Sequence, residues 1–274
     1  MTLLLLLACT QTPSGPDETT DTGEDLRSRP FDEQVLLVSH NGFNSTSMGF
    51  PVANQHLTYE EQLDLGVRGF MLDVYDEGDG PVLCHGDCVW GSQPLAEALQ
   101  RIDAWLVDHP DELVVFIIQE ESPVGPMVDA IVAQGLDQRA IVPPTDGAWP
   151  SWRELVDGGE QLLVTTQREH PDVPDWFAWT YGMAWDNPYS AATIDDFSCE
   201  PLRGDPANEL FLLNHFLTDP IASEALAEEA NTEEALLGHV DRCEDEAGQR
   251  VNWLAVDFVG VGDAVEVLRE LQLR

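Results

Sequence analysis

The sequence predicts a single α/β domain, a (β/α) barrel of the TIM type that is free to be irregular, and three observations predict it. Short apolar runs rich in β-branched residues alternate with amphipathic stretches, as in parallel strands joined by crossover helices. Polar or titratable residues close nearly every run. The length of 274 residues suits a barrel of about 250 residues built around one core.

The runs follow in order. Residues 35–39 end in His40-Asn41, residues 67–72 in Asp73-Val74-Tyr75, and residues 81–84 in His85. Residues 113–118 lead into Gln119-Glu120-Glu121, residues 162–166 into Gln167, residues 210–213 into Asn214-His215, and residues 253–256 into Asp257. Residues 95–106 and 264–273 repeat apolar side chains at intervals of three and four, which predicts helices. In a parallel barrel the C-terminal strand ends meet on one face, so these closing residues would share a pocket. Helix capping would account for Asp or Asn at any single end. It does not account for His40, His85 and His215 at three of them. His56, His109, His170 and His239 fall in loop-like or helix-like contexts and are expected at the surface. Arg68 is out of step with Asp73 on its strand and is expected to buttress the barrel.

Composition narrows the function. There are 51 acidic residues against 12 basic ones, all Arg, for a formal charge of -39. Such a surface repels nucleic acid and anionic bilayers, so no nucleic-acid partner is expected. Residues 1–9 form an apolar export segment, too short for the roughly 20 residues of a membrane span. Its Ala8-Cys9 resembles a bacterial lipoprotein cleavage box, without the positive n-region, and implies a lipid anchor on Cys9. Residues 10–30 read as a disordered tether and residues 31–274 as the barrel. The other four cysteines fit two disulfides in an exported chain. The preferred pairing is Cys84 with Cys88 and Cys199 with Cys243. A four-thiolate zinc site is the alternative, although the usual C-x-x-C pairs are missing.

Two histidines across a pocket can move protons in both directions near neutral pH. A carboxylate behind the base fixes its tautomer, and Asp257 and Asp73 are available for that. The segments Ser39-His40-Asn41-Gly42-Phe43-Asn44, Gly66-Val67-Arg68-Gly69-Phe70-Met71-Leu72-Asp73-Val74-Tyr75 and Leu83-Cys84-His85-Gly86 resemble the X-box of phosphatidylinositol-specific phospholipase C. The likeness is to its branch of phospholipase-C-like phosphodiesterases. His109-Pro110-Asp111-Glu112-Leu113, Leu213-Asn214-His215-Phe216 and Leu254-Ala255-Val256-Asp257-Phe258 continue it.

The resemblance implies a TIM-type barrel that cleaves a lipid or small-molecule phosphodiester. It implies that His40 is the general base on the inositol 2-hydroxyl, His85 the general acid on the leaving oxygen, and Asp257 the carboxylate behind the base, with Asp73 beside them. Asn41, Tyr75, Gln167 and His215 are the expected substrate contacts. Metal-free members carry Arg where this chain has Tyr75. Calcium-dependent members carry a Glu where it has Met71. If calcium or magnesium is used, the expected ligands are Asn41, Asp73 and Glu120, a thin set for an ion that takes six to eight oxygens. A head-group- or glycan-binding barrel without turnover is a second reading. A glycerophosphodiesterase or sphingomyelinase-D-like enzyme is a third, but it would place a Glu just after the first His motif, and His40-Asn41-Gly42-Phe43-Asn44 has none.

Overall fold

The computed structural model describes residues 25–145 and 147–274. The export segment, Cys9 and the tether up to residue 24 lie outside the described residues. Residues 25–30, expected in the tether, are part of the folded body. The turn Leu26–Ser28 buries Leu26 and Arg27, and the Phe31 N–H donates to the Pro150 carbonyl at 2.9 Å. Leu26 supplies apolar area to the core, and the Arg27 charge finds a buried carboxylate on Glu112.

The strands are β1 Leu36–Ser39, β2 Val67–Asp76, β3 Pro81–Leu83, β4 Gln93–Pro94, β5 Val114–Glu120, β6 Leu162–Thr166, β7 Phe177–Trp179, β8 Ala184–Asp186, β9 Leu210–Asn214 and β10 Trp253–Val256. The helices are α1 Tyr59–Leu65, α2 Leu95–Asp108, α3 Val124–Ala133, α4 Trp152–Asp157, α5 Thr180–Met183, α6 Glu224–Ala230, α7 Glu233–Ala247 and α8 Ala264–Leu273. Eight strands pair in parallel in the order β7-β6-β5-β2-β1-β10-β9-β8 and curl into a barrel. Among the described residues no ladder joins β7 to β8, so the barrel is open on that side.

Strand alternation sorts the side chains. Leu36, Val38, Met71, Val115, Ile117, Leu163, Leu210, Leu212, Trp253 and Ala255 fill the barrel interior. Leu37, Phe70, Leu72, Phe116, Ile118, Val164, Phe211, Leu213, Leu254 and Val256 pack outward, where α2 lays down Leu95, Leu99, Ile102 and Leu106.

Two departures from the sequence reading concern strands. Residues 81–84 were expected as a barrel strand, yet β3 pairs antiparallel with the far end of β2. Glu77-Gly78-Asp79-Gly80 turns the chain back, with positive φ at Gly78 and Gly80 that favours glycine. The short β7 and β8 had no alternating run to announce them.

Two disulfides form, Cys84–Cys88 and Cys199–Cys243, instead of a four-thiolate site. Disulfides fit an exported chain. No helix among the described residues is long and apolar enough to cross a membrane. At the N-terminal ends of the strands, Arg68 buttresses the barrel as expected. It is 2% exposed and donates from Nε to Glu112 Oε2 at 2.8 Å, while Arg27 Nη2 donates to Glu112 Oε1 at 2.7 Å.

Candidate active site

The opposite end of the barrel holds a cavity of about 460 Å³. Its base is set by the inward phase of each strand: His40 after Val38, Asp73 and Tyr75 after Met71, and Gln119 after Ile117, with Asp257, after Ala255, supporting it from behind His40. The turn after β1 demands its sequence. Asn41 takes a φ of 46°, which Asn tolerates better than most residues, and a Cβ on Gly42 would lie 2.5 Å from Phe70 Cδ1.

His40 Nδ1 lies 2.8 Å from Asp257 Oδ1, and Asp257 is 3% exposed. A carboxylate only accepts, so Nδ1 carries the proton and Nε2 presents a lone pair, on which Asn41 Nδ2 donates at 3.1 Å. The ring stacks on Phe216 with centroids 3.7 Å apart. Gln55 Nε2 donates to the His40 and Val256 carbonyls at 2.9 and 3.2 Å, tying the ends of β1 and β10 together.

His85 arrives from the β3 side, inside the short loop closed by Cys84–Cys88. Its Nδ1 lies 3.0 Å from Asp73 Oδ2. The hydrogen bond to Asp73 raises the His85 pKa above the ordinary imidazole value; burial opposes this and the Asp73 charge adds to it. The protonated form therefore persists to higher pH than in a free imidazole. Asn41 Nδ2 lies between the rings, 3.2 Å from His85 Nδ1.

The amide between the rings is itself oriented. Asn54 Nδ2 donates to Asp257 Oδ1 at 3.0 Å, which turns Asn54 Oδ1 toward Asn44 Nδ2 at 2.7 Å and Asn41 Nδ2 at 3.4 Å. A single carboxylate thus sets both the tautomer of His40 and the direction of the Asn41 N–H. Sequence reasoning did not find Asn54, because it lies in a loop without periodicity.

Nor did it find the pocket cation. Arg203 comes from the long segment between β8 and β9 and lines the cavity. Its guanidinium binds buried Asp186 through Nε and Nη2, donates from Nη1 to Gln167 Oε1 at 3.0 Å, and lies 4.8 Å from the ring centroids of Tyr181 and Tyr189. Tyr75, where metal-free relatives are expected to carry Arg, lines the same cavity.

Two expected site residues lie elsewhere, and one surface expectation fails. His215 is fully buried behind the wall and bonds His239 Nδ1 and the Ala230 carbonyl. Asn214 follows Leu210 and Leu212 inward, so the next residue points outward. His239, expected at the surface, is 3% exposed because α7 turns that face to the barrel. Glu120 is likewise one step out of phase with Ile117 and Gln119. Its carboxylate accepts from the Gln167 and Arg168 N–H groups at 3.1 and 2.8 Å and sits 3.2 Å from His170 Nε2.

The expected calcium set is therefore not assembled. Asp73 is the one carboxylate of the three in place, and it is already paired with His85. Asn41 turns its amide nitrogen to the site, and Met71 and Ile117 give an apolar floor. This donor set does not suit a hard cation that requires several oxygens.

Comparison with known proteins places the fold. The chain resembles phosphatidylinositol-specific phospholipase C from Listeria monocytogenes in fold, with a TM-score of 0.63 at 13% identity over 89% of this chain and 95% of that one. A mutant of the Staphylococcus aureus enzyme gives 0.60 at 14%, over 92% and 99%. A PI-PLC X domain-containing protein of Arthroderma benhamiae is 26% identical over 97% of this chain and 94% of its own length. One of Arabidopsis thaliana is 28% identical over 84% of this chain, which spans 58% of that relative. The family model for the PI-PLC X domain matches residues 26–272, so the chain belongs to the PI-PLC X-domain family.

Proposed function

We propose that the chain is a phosphoric diester hydrolase that cleaves a lipid or lipid-derived phosphodiester by proton transfer between His40 and His85. The observation that carries this is the arrangement of two imidazoles on one cavity, each with a carboxylate on Nδ1 and one amide N–H between them. His40 Nε2 takes the proton of the attacking hydroxyl, whose oxygen then bonds to phosphorus. As the opposite P–O bond breaks, His85 gives its Nε2 proton to the leaving oxygen. Arg203 is the donor available to the phosphoryl oxygens from the start, and an Asn41 N–H becomes a second once His40 Nε2 is protonated and no longer accepts from it; Asp186 and the two tyrosines hold the guanidinium in place.

The leaving-group side is apolar. A groove of about 320 Å³ beside His85 is lined by Phe50, Val52, Trp90 and Ile221. Trp90 and Ile221 are 61% and 54% exposed, and Val89 next to them is 78% exposed. An apolar rim suits a glycerolipid leaving group in an interface, and the charge of -39 favours an interface without net negative charge.

Phosphorus NMR of a reaction with phosphatidylinositol should show a cyclic phosphate product. Binding of the head group without turnover would move the reading to a binding barrel. A strong chelator should leave the rate unchanged within about twofold, since no step above uses a metal ion; a rate lost to the chelator and restored by calcium would overturn the metal-free mechanism. Trp90→Ala should lower activity on zwitterionic vesicles about 10-fold, because inserting part of one large apolar side chain is worth on the order of 1–2 kcal/mol. Activity on a monomeric soluble diester should hold; an equal loss on both would remove the rim from the interface.

A further inference from the structure

Behind the pocket wall lies a second cluster that the proposed reaction does not use. Helix α7 carries His239 and Cys243 four residues apart, so both face one side. Cys199 meets them from the segment after β8, and one ligand atom from each of Cys199, His239 and Cys243 lies within 4.8 Å of the others. All three are buried.

The tautomers follow from the partners. His215 Nε2 donates to the Ala230 carbonyl at 2.8 Å, so its Nδ1 is a bare acceptor. His239 Nδ1 therefore carries the proton shared across the 2.9 Å contact with His215 Nδ1. His239 Nε2 is left as a lone pair, on a residue 3% exposed, with no hydrogen-bond partner. A ligating imidazole needs this arrangement: one nitrogen bare, the other fixed by a supporting contact.

We propose that Cys199 and Cys243, once reduced, form a zinc site with His239 Nε2. A thiol reductant supplies the two electrons. Its two thiols join as a disulfide, the Cys199–Cys243 bond breaks, and each sulfur takes one proton. Zinc then forms two bonds to sulfur and one to nitrogen, and the two protons leave. Two thiolates and an imidazole are zinc's preferred donors, with a fourth position left for water. The charges cancel at the metal, which suits a buried site. A cavity of about 350 Å³ lined by Phe197, Thr232, Glu234, His239 and Arg242 gives access. The disulfide and the metal are mutually exclusive, so the same link between α7 and the barrel is available in oxidising and in reducing surroundings.

The test is a cobalt titration of the full chain carrying Cys9→Ser, Cys84→Ser and Cys88→Ser, so that a single cysteine pair remains. After reduction and anaerobic removal of the reductant, one cobalt per chain should bind, with thiolate charge-transfer and tetrahedral d–d bands. The oxidised protein should show neither. His239→Gln should weaken binding by more than the roughly 10- to 100-fold that loss of a supporting contact costs, and His215→Phe by about that amount. No uptake by reduced protein that keeps its far-ultraviolet circular dichroism would overturn the site, as would uptake that His239→Gln leaves unchanged. If reduction unfolds the chain, zinc must restore the native spectrum, and failure to do so counts equally against the proposal.

Discussion

Replacing His40 or His85 by Ala should each lower turnover by about 10²- to 10⁴-fold, the usual contribution of one acid/base group. The fold should survive, because both rings face the cavity and neither fills the core. The two variants should differ when the leaving group changes. A nitrophenolate needs little protonation, so a nitrophenyl phosphodiester should rescue His85→Ala far more than His40→Ala. Equal rescue would sink the assignment of roles. The pH profile should be bell-shaped, with limbs that belong to the coupled pair. His85 must start protonated, and Asp73 raises its pKa, so the alkaline limb should lie above the ordinary imidazole value near 6.5. Asp73→Asn removes that carboxylate and should draw the alkaline limb down; a limb that does not move would show that another group titrates there.

Glu112→Ala should cost about 3–5 kcal/mol of stability, the usual result of removing one partner from a buried ion pair. Glu112 is 4% exposed and divides its two oxygens between Arg27 and Arg68. Without it, Arg68, 2% exposed, keeps among the described residues the Leu63 and Val67 carbonyls and the face of Trp105. The urea midpoint should fall at an unchanged slope, with a drop in melting temperature on the order of 10 °C. Glu112→Gln, which keeps one acceptor, should fall between. A loss below about 1 kcal/mol would mean that the two guanidiniums reach water or other acceptors.

Much of the site was legible because the barrel obeys a two-residue phase. Counting by two from Val38, Met71 and Ala255 reaches His40, Asp73, Tyr75 and Asp257, all of which line or support the cavity. The same count leaves out Glu120, which follows Gln119, and His215, which follows Asn214. Phase was therefore the better guide, and chemical type alone misassigned these two. Arg203, Asn54 and Gln55 lie in loops, where no period orients a side chain. Strands β7 and β8 were missed because three residues each are too few to alternate. His239 was read as exposed because it falls in a helix-like context and not at a strand end, whereas α7 buries Leu236, His239, Val240 and Cys243 along one stripe.

An open barrel leaves two rows of unpaired backbone groups, and such edges can template pairing with a second chain. Both edge strands here are three residues long, which limits the hazard. At β8 the exposed row is also covered: the Asp186 N–H donates to the Arg203 carbonyl at 3.0 Å, and the Leu202 N–H to the Asp186 carbonyl at 2.7 Å. The residues that blunt this edge are thus the ones that hold the pocket cation. Changes at Asp186 would bear on self-association in solution as much as on phosphate chemistry, because the guanidinium and the edge cover are anchored at the same point.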